Sequence, residues 1–122
     1  MAEGFSQVEG VDYEDTYSPT IRMTTIQLIL ALATKDNLEL RMVDVKGAYL
    51  NGKLDNTVCM HQPKGFVKNG EEDLVCKLNK SIFGLKKSGR MWHGTMEREM
   101  ERIGFTPRKA DPTVYIQLRN NG

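Results

Sequence analysis

The stretch from 18 to 45 limits what this chain can fold into more than any other part of it. Ser18-Pro19 reads as a helix start, with Ser18 as N-cap and Pro19 as first helical residue, where a missing N–H costs nothing. From there IRMTTIQLILALATK sets Ile21, Leu28, Ile29 and Leu32 on one helical face, and Ile26, Leu30 and Ala33 widen it. A stripe this broad predicts a helix over 19–35, buried on a sheet and ending near Asp36-Asn37. Residues 38–45, LELRMVDV, then alternate as a strand does. Leu38, Leu40 and Met42 point one way, Glu39, Arg41 and Val43 the other. Asp44 falls on the apolar side, where a carboxylate is costly unless a cation or donor meets it.

Beyond this pair the signals are shorter. Asn51-Gly52 marks a turn. Residues 57–61 and 73–78 are short strand candidates joined by the loop QPKGFVKNGEE. A second helix is expected over 88–103, with Trp92, Met96, Met100 and Ile103 on one side and Glu97, Arg98, Glu101 and Arg102 on the other. Gly104 stands at its C′ position. Residues 113–118 form a last strand candidate. Helix, three short strands, helix, strand: the order predicts an α+β fold.

Composition excludes several classes. A chain of 122 residues suits one small domain, and 39% hydrophobic with 27% charged residues is ordinary for a globular protein. Seventeen Lys+Arg against sixteen Asp+Glu leave a net charge of +1, so no overall basic field marks a free-standing nucleic-acid binder. The longest mainly apolar stretch, 26–33, is too short to span a bilayer, and no membrane partner is expected. The start, MAEGFSQVEG, lacks the basic and apolar regions of a signal peptide. With only Cys59 and Cys76, a disulfide scaffold is excluded and a reduced intracellular setting is expected.

The segment 41–52, RMVDVKGAYLNG, carries the most chemistry. An acidic residue at a strand terminus is fixed by the strand and faces an opening loop. Mg²⁺ prefers one or two such carboxylates together with phosphate oxygens. The N–H groups of Gly47 and Ala48 have no bulky side chain to block a phosphate. On spacing alone, a turn-forming Asp44 and a core Tyr49 are the ordinary accounts. Between 80 and 90, Lys80, Lys86, Lys87 and Arg90 accompany Phe83, a set that could contact a nucleic-acid backbone, although a charge cluster this small is ordinarily a solvated loop. Cys59, His61, Cys76 and His93 suit zinc by type. Their spacing, C-x-H, fourteen residues, C, sixteen residues, H, fits no usual paired-ligand pattern, and strand cysteines with a histidine beside Trp92 are the simpler account.

DVKGAYLNG resembles the first catalytic motif of copia-type LTR-retrotransposon reverse transcriptases. Four further blocks resemble the same family in the same order: EGVDYEDTYSPTIRMTTIQLILALA, MHQPKGF, LVCKLNKSIFGLKKSGRMWH and GFTPRKADPTVYI. The resemblance implies part of the fingers and palm of a right-hand polymerase. In that frame Asp44 matches the first catalytic, metal-binding aspartate, and the Val45 carbonyl lies near a metal. Gly47 and Ala48 match positions whose N–H groups meet the incoming triphosphate. Tyr49 matches the aromatic that lies under the nucleotide sugar and rejects a 2′-hydroxyl. Lys86, Lys87 and Arg90 are implied template or phosphate contacts, although the family usually has Gln where Lys87 stands and Ala-Pro where Ser88-Gly89 stand.

The resemblance further implies Mg²⁺ as cofactor, two ions in a complete enzyme. It implies an RNA/DNA template-primer and dNTP as partners, with the rest of a Pol polyprotein, and a cytoplasmic particle for an intact parent element. The family's later Asp-Asp hairpin, thumb and RNase H parts find no match in 1–122. The expectation is therefore a truncated reverse transcriptase domain, inactive by itself. The alternative is a non-catalytic nucleic-acid-binding or interaction remnant of a degenerate element.

Overall fold

A computed structural model describes residues 1–118. Its regular elements are helices α1 (Met23–Lys35) and α2 (Ser88–Arg102), two short 3-10 turns (Gly4–Ser6 and Ala48–Asn51), and strands β1 (Cys59–His61), β2 (Val75–Lys77), β3 (Thr106–Pro107) and β4 (Tyr115–Ile116). This is an α+β arrangement with two small antiparallel sheets, β1-β2 and β3-β4. The chain divides into two compact units, Met1–Tyr17 with Gly47–Thr95, and Ser18–Lys46 with the chain from Met96 onward.

In the first unit, β1 and β2 pair Cys59 with Lys77, Met60 with Cys76 and His61 with Val75. The Leu78 N–H donates to the Val58 carbonyl and carries the ladder one step further (2.8 Å). The strands expected over 57–61 and 73–78 are thus present but shorter. Their connecting loop is clasped by one side chain. The Gln62 amide donates to the carbonyls of Glu71 (2.6 Å) and Leu74 (3.1 Å), and its oxygen accepts the Lys68 N–H (3.0 Å).

Buried polar groups knit the rest of this unit. The Ser81 hydroxyl donates to Ser88 Oγ (2.9 Å), which donates in turn to the Ile82 carbonyl (2.5 Å). Both serines are buried, and both hydroxyls are satisfied, as buried polar groups must be. Gly52 is buried as well. A Cβ there would meet the Met91 Cβ at 3.1 Å, so the chain passes under α2 only because this residue has no side chain.

In the second unit, α2 ends as its sequence predicts. Gly104 takes φ +90, its N–H donates to the Glu101 carbonyl (2.9 Å), and the Phe105 N–H donates to that of Met100 (2.9 Å). This is the paired bonding of a Schellman motif. The chain then forms β3, which sequence periodicity did not anticipate, and pairs Thr106 with Ile116 and Pro107 with Tyr115. The last strand, expected over 113–118, is confined to Tyr115–Ile116.

Three expectations fail here. The first helix begins at Met23, not at Pro19, with Arg22 as an extended N-cap residue making no side-chain cap. Its acceptor comes from far along the chain. Asp111, only 7% exposed, accepts the Thr25 hydroxyl (2.7 Å) and the Arg22 backbone N–H. A carboxylate at this end also complements the helix dipole. The helix therefore starts where Asp111 supplies an acceptor, not at the local Ser-Pro signal.

Second, 38–45 is not a strand: no residue in it belongs to a ladder. A strand exists only where a neighbouring strand takes its N–H and C=O groups. Among the described residues no strand does, and the Leu38 N–H donates to the Ala33 carbonyl in the last turn of α1 (2.8 Å). Third, α1 is not buried. Ala33 is its one buried residue, while Leu28, Leu30 and Leu32 are exposed. The cause is the second failure, since the sheet on which the stripe was expected to rest does not form around 38–45.

Candidate functional site

The division between units falls between Lys46 and Gly47, so the predicted site residues belong to two bodies. In the second unit Asp44 and Val45 lie on irregular, exposed chain. Met42 and Val43 just before them are 99% and 87% exposed. Asp44 therefore meets no buried apolar surface here, contrary to its position in the alternation pattern.

In the first unit the chain turns sharply. Gly47 takes φ +61, a left-handed conformation that strains any other residue, and a Cβ there would press on Leu50 Cδ1 at 3.3 Å. Its carbonyl accepts the Leu50 N–H (2.8 Å) and the Asn51 side-chain amide (3.2 Å), and the Tyr49 carbonyl accepts the Gly52 N–H (3.0 Å). The expected Asn51-Gly52 turn is thus built on Gly47. Tyr49 is half-buried, its ring 4.8 Å from that of Phe83 and tilted by 58°.

The basic block sits in the same unit. Lys86 is exposed, and its backbone N–H donates to Gln7 Oε1 (2.8 Å). Lys87 is only 9% exposed, and its ammonium meets both carboxylate oxygens of Asp55, at 2.7 and 2.8 Å. Arg90 pairs with Asp15. Asp55 and Asp15 are partners that sequence reasoning missed, and Phe83 was not read as the partner of Tyr49. Neither aspartate stands near its cation in sequence, and only Phe83 was visible, as the aromatic within the block.

Among the described residues Asp111 is the one carboxylate with a strongly altered acidity. Bonds from the Thr113 hydroxyl (2.6 Å), the Thr25 hydroxyl and the Thr113 N–H (3.0 Å) pull its pKa down to about 2. Those bonds commit it to capping. For zinc, the β1-β2 register sends Cys59 and Cys76 to opposite faces, because Cys76 lies opposite Met60. Among the described residues no group of three or more His, Cys, Asp or Glu is placed to hold a metal ion. A cleft of about 720 Å³ runs along β1, lined by Asp12, His61, Gln62 and Val75 among others. Of the zinc candidates Cys59 and His61 line it, and none of the polymerase-motif residues or of the basic block's cations does.

The reverse transcriptase (RNA-dependent DNA polymerase) family matches residues 1–122. The chain is 39% identical over 117 residues to the retrovirus-related Pol polyprotein from transposon TNT 1-94 of Nicotiana tabacum, a match covering 96% of this chain and 9% of that protein. It is 36% and 35% identical over 119 residues to the corresponding Pol polyproteins from transposons RE2 and RE1 of Arabidopsis thaliana, covering 98% of this chain and 8% of each relative. The chain thus spans less than a tenth of these relatives. No solved structure matches it.

Proposed function

The chain belongs to the reverse transcriptase family, and from that premise we propose that it is part of the fingers and palm of a copia-type retrotransposon polymerase. In a complete Pol polyprotein it would take part in template-directed DNA synthesis on an RNA/DNA template-primer. What carries the reading is the family match across all 122 residues, with relatives above 35% identity aligned over nearly the whole chain. Among the described residues no helix is long and apolar enough to cross a membrane.

Asp44 is the residue offered to Mg²⁺, and it is exposed. One carboxylate does not make a site for an ion that wants six oxygens in octahedral array. The described residues bring no cluster of further ligands, so they do not fit the two-ion group, and no metal-dependent step is assigned to them. Their own contribution is positional. By resemblance to the family's motif, the Gly47 and Ala48 N–H groups would meet a triphosphate, Tyr49 would lie under the sugar, and the Val45 carbonyl would be available to a metal. Lys86 meets phosphate or template directly. Lys87 and Arg90 would do so only by exchanging Asp55 and Asp15 for the polyanion.

One observation favours a second reading, a non-catalytic remnant. Where the family usually places Gln, Lys87 is buried on Asp55, which removes an amide from the nucleotide side. The test is primer extension by a complete Pol polyprotein carrying this sequence. Synthesis that Asp44→Asn abolishes supports the polymerase reading. A folded, RNA-binding but inactive protein supports the remnant.

A further inference from the structure

We propose that Phe83 is a positioning residue for sugar discrimination, setting the Tyr49 ring at the angle from which it excludes a 2′-hydroxyl. This deepens the reading of Tyr49 given above and rests on it. The two rings are in tilted contact, at 4.8 Å and 58°, an edge-to-face-like geometry favoured by the ring quadrupoles. A contact between two mobile side chains would fix nothing, but here both ends are anchored.

Tyr49 lies in a turn held by three hydrogen bonds around the Gly47 and Tyr49 carbonyls. Phe83 is held through successive backbone positions. The Ser81 N–H donates to the Gly52 carbonyl (3.0 Å), the Ile82 carbonyl accepts the buried Ser88 hydroxyl, and the Phe83 carbonyl accepts the Ala2 N–H (2.7 Å). The first of these bonds joins the Phe83 segment to the residue that closes the Tyr49 turn. The second ties it to the first residue of α2, and Lys87 beside it is locked on Asp55 (2.7 Å). Phe83 is itself about half exposed, so its ring is not needed to fill a core. Its one ring partner among the described residues is Tyr49.

A steric gate discriminates only as well as its position is fixed, because a displacement of about 1 Å admits a hydroxyl oxygen. Phe83 supplies that fixity. It touches no reacting atom, so its loss shows in the choice of substrate more than in the rate of the correct reaction.

The test compares incorporation of deoxynucleotides and ribonucleotides, as the ratio of their kcat/KM values, in the complete Pol polyprotein. The variants are Phe83→Ala, Phe83→Leu, Phe83→Tyr, Tyr49→Ala and the double variant Tyr49→Ala/Phe83→Ala. Phe83→Ala and Phe83→Leu should each lower the ratio by about three- to tenfold, the range expected when one aromatic pair is lost. Phe83→Tyr keeps the ring face and should keep the ratio. The double variant should match Tyr49→Ala alone, since a positioner has nothing to act on once its target is gone. If Tyr49→Ala relaxes selectivity while Phe83→Leu, which removes the ring and keeps an apolar side chain at a half-exposed site, leaves it at the parent value, the positioning role of Phe83 is overturned and the reading of Tyr49 stands. If Tyr49→Ala itself leaves selectivity unchanged, both fall.

Discussion

The stretch 38–46 around Asp44 and the basic block 80–90 are built in opposite ways. The first is irregular, outside any strand ladder and exposed, with Asp44 open to solvent and Arg41 paired with its neighbour Glu39. The second is bound into the first unit by Ser81, Lys87 and Ser88, all buried and all partnered. Residue type alone would assign both to ligands, Asp44 to a cation and the basic block to a polyanion. The structure separates charge from availability. Asp44 is free to act but unsupported, whereas Lys87 is supported because it is already engaged.

The largest effect expected from this contrast is a separation of activity from stability at Asp44. In a complete Pol polyprotein Asp44→Asn should reduce DNA synthesis on the order of a thousandfold, the scale seen when a charge-stabilising group is removed from phosphoryl transfer. Because the side chain is exposed, the same change should move unfolding free energy by less than about 0.5 kcal/mol. Primer extension and urea unfolding on one preparation check both. A variant that loses activity and stability together would place Asp44 in the fold, not the reaction.

The reverse separation is expected at the Lys87 pair. Asp55→Ala strips the partner from a buried ammonium and should destabilise the first unit by about 2 kcal/mol. This is below the cost of breaking a fully buried pair, because Asp55 is half exposed and water reaches the site. Lys87→Met, which removes the charge and keeps the stem, should cost about 1 kcal/mol or less. Urea midpoints rank the two. Should Lys87→Met prove the costlier, the ammonium is held by something other than Asp55.

That asymmetry also explains what was legible in the sequence. Signals that act within one turn were readable: the α2 helix and its Gly104 stop, the Asn51-Gly52 turn, and the existence of short strands on either side of the QPKGFVKNGEE loop, though not their pairing. What depends on distant partners was not. The α1 start is set by Asp111, 86 residues from Thr25, so the local Ser18-Pro19 signal misplaced it. The alternation of 38–45 is a real strand pattern, but alternation describes side chains and says nothing about who pairs with the backbone. For the site, the motif around Asp44 led to the family, which the comparisons show. The engagement of Lys87 with Asp55 and of Tyr49 with Phe83 crosses more than thirty residues in each case and leaves no periodic trace.

Asp111 sharpens the comparison within the second unit, since it is a carboxylate spent on structure beside one that is not. Its pKa is lowered to about 2 by its threonine and backbone donors, so its contribution to stability is complete above the unfolded carboxylate value near 3.8. It is lost as pH falls through about 2. Helix signal by circular dichroism should therefore decline across roughly pH 4 to 2, and Asp111→Asn should flatten that part of the curve. Amide exchange at Arg22 and Thr25 should quicken over the same range. An unchanged acid limb in Asp111→Asn would remove Asp111 from the cap.

The smallest expected effect concerns the basic block itself. Binding of a nucleic acid releases condensed counterions, so each cation that meets a phosphate adds roughly one to the slope of log affinity against log salt, about 0.7 on single strands. Lys86 is exposed and its backbone alone is engaged, so Lys86→Ala should lower the slope by about that much for a short RNA. Lys87 cannot reach a phosphate without abandoning Asp55 in a buried setting, so at equal folded fraction Lys87→Met should leave the slope unchanged. Arg90 stands between them. Its pair with Asp15 is partly exposed on both sides and is worth little against water, so a phosphate displaces the carboxylate easily and Arg90→Ala should reduce the slope nearly as much as Lys86→Ala. Fluorescence anisotropy across a salt series reads all three. Equal slopes for Lys86→Ala and Lys87→Met would mean that burial does not govern which cations meet the polyanion, and the contrast between the engaged and the available charge would fail at its most direct point.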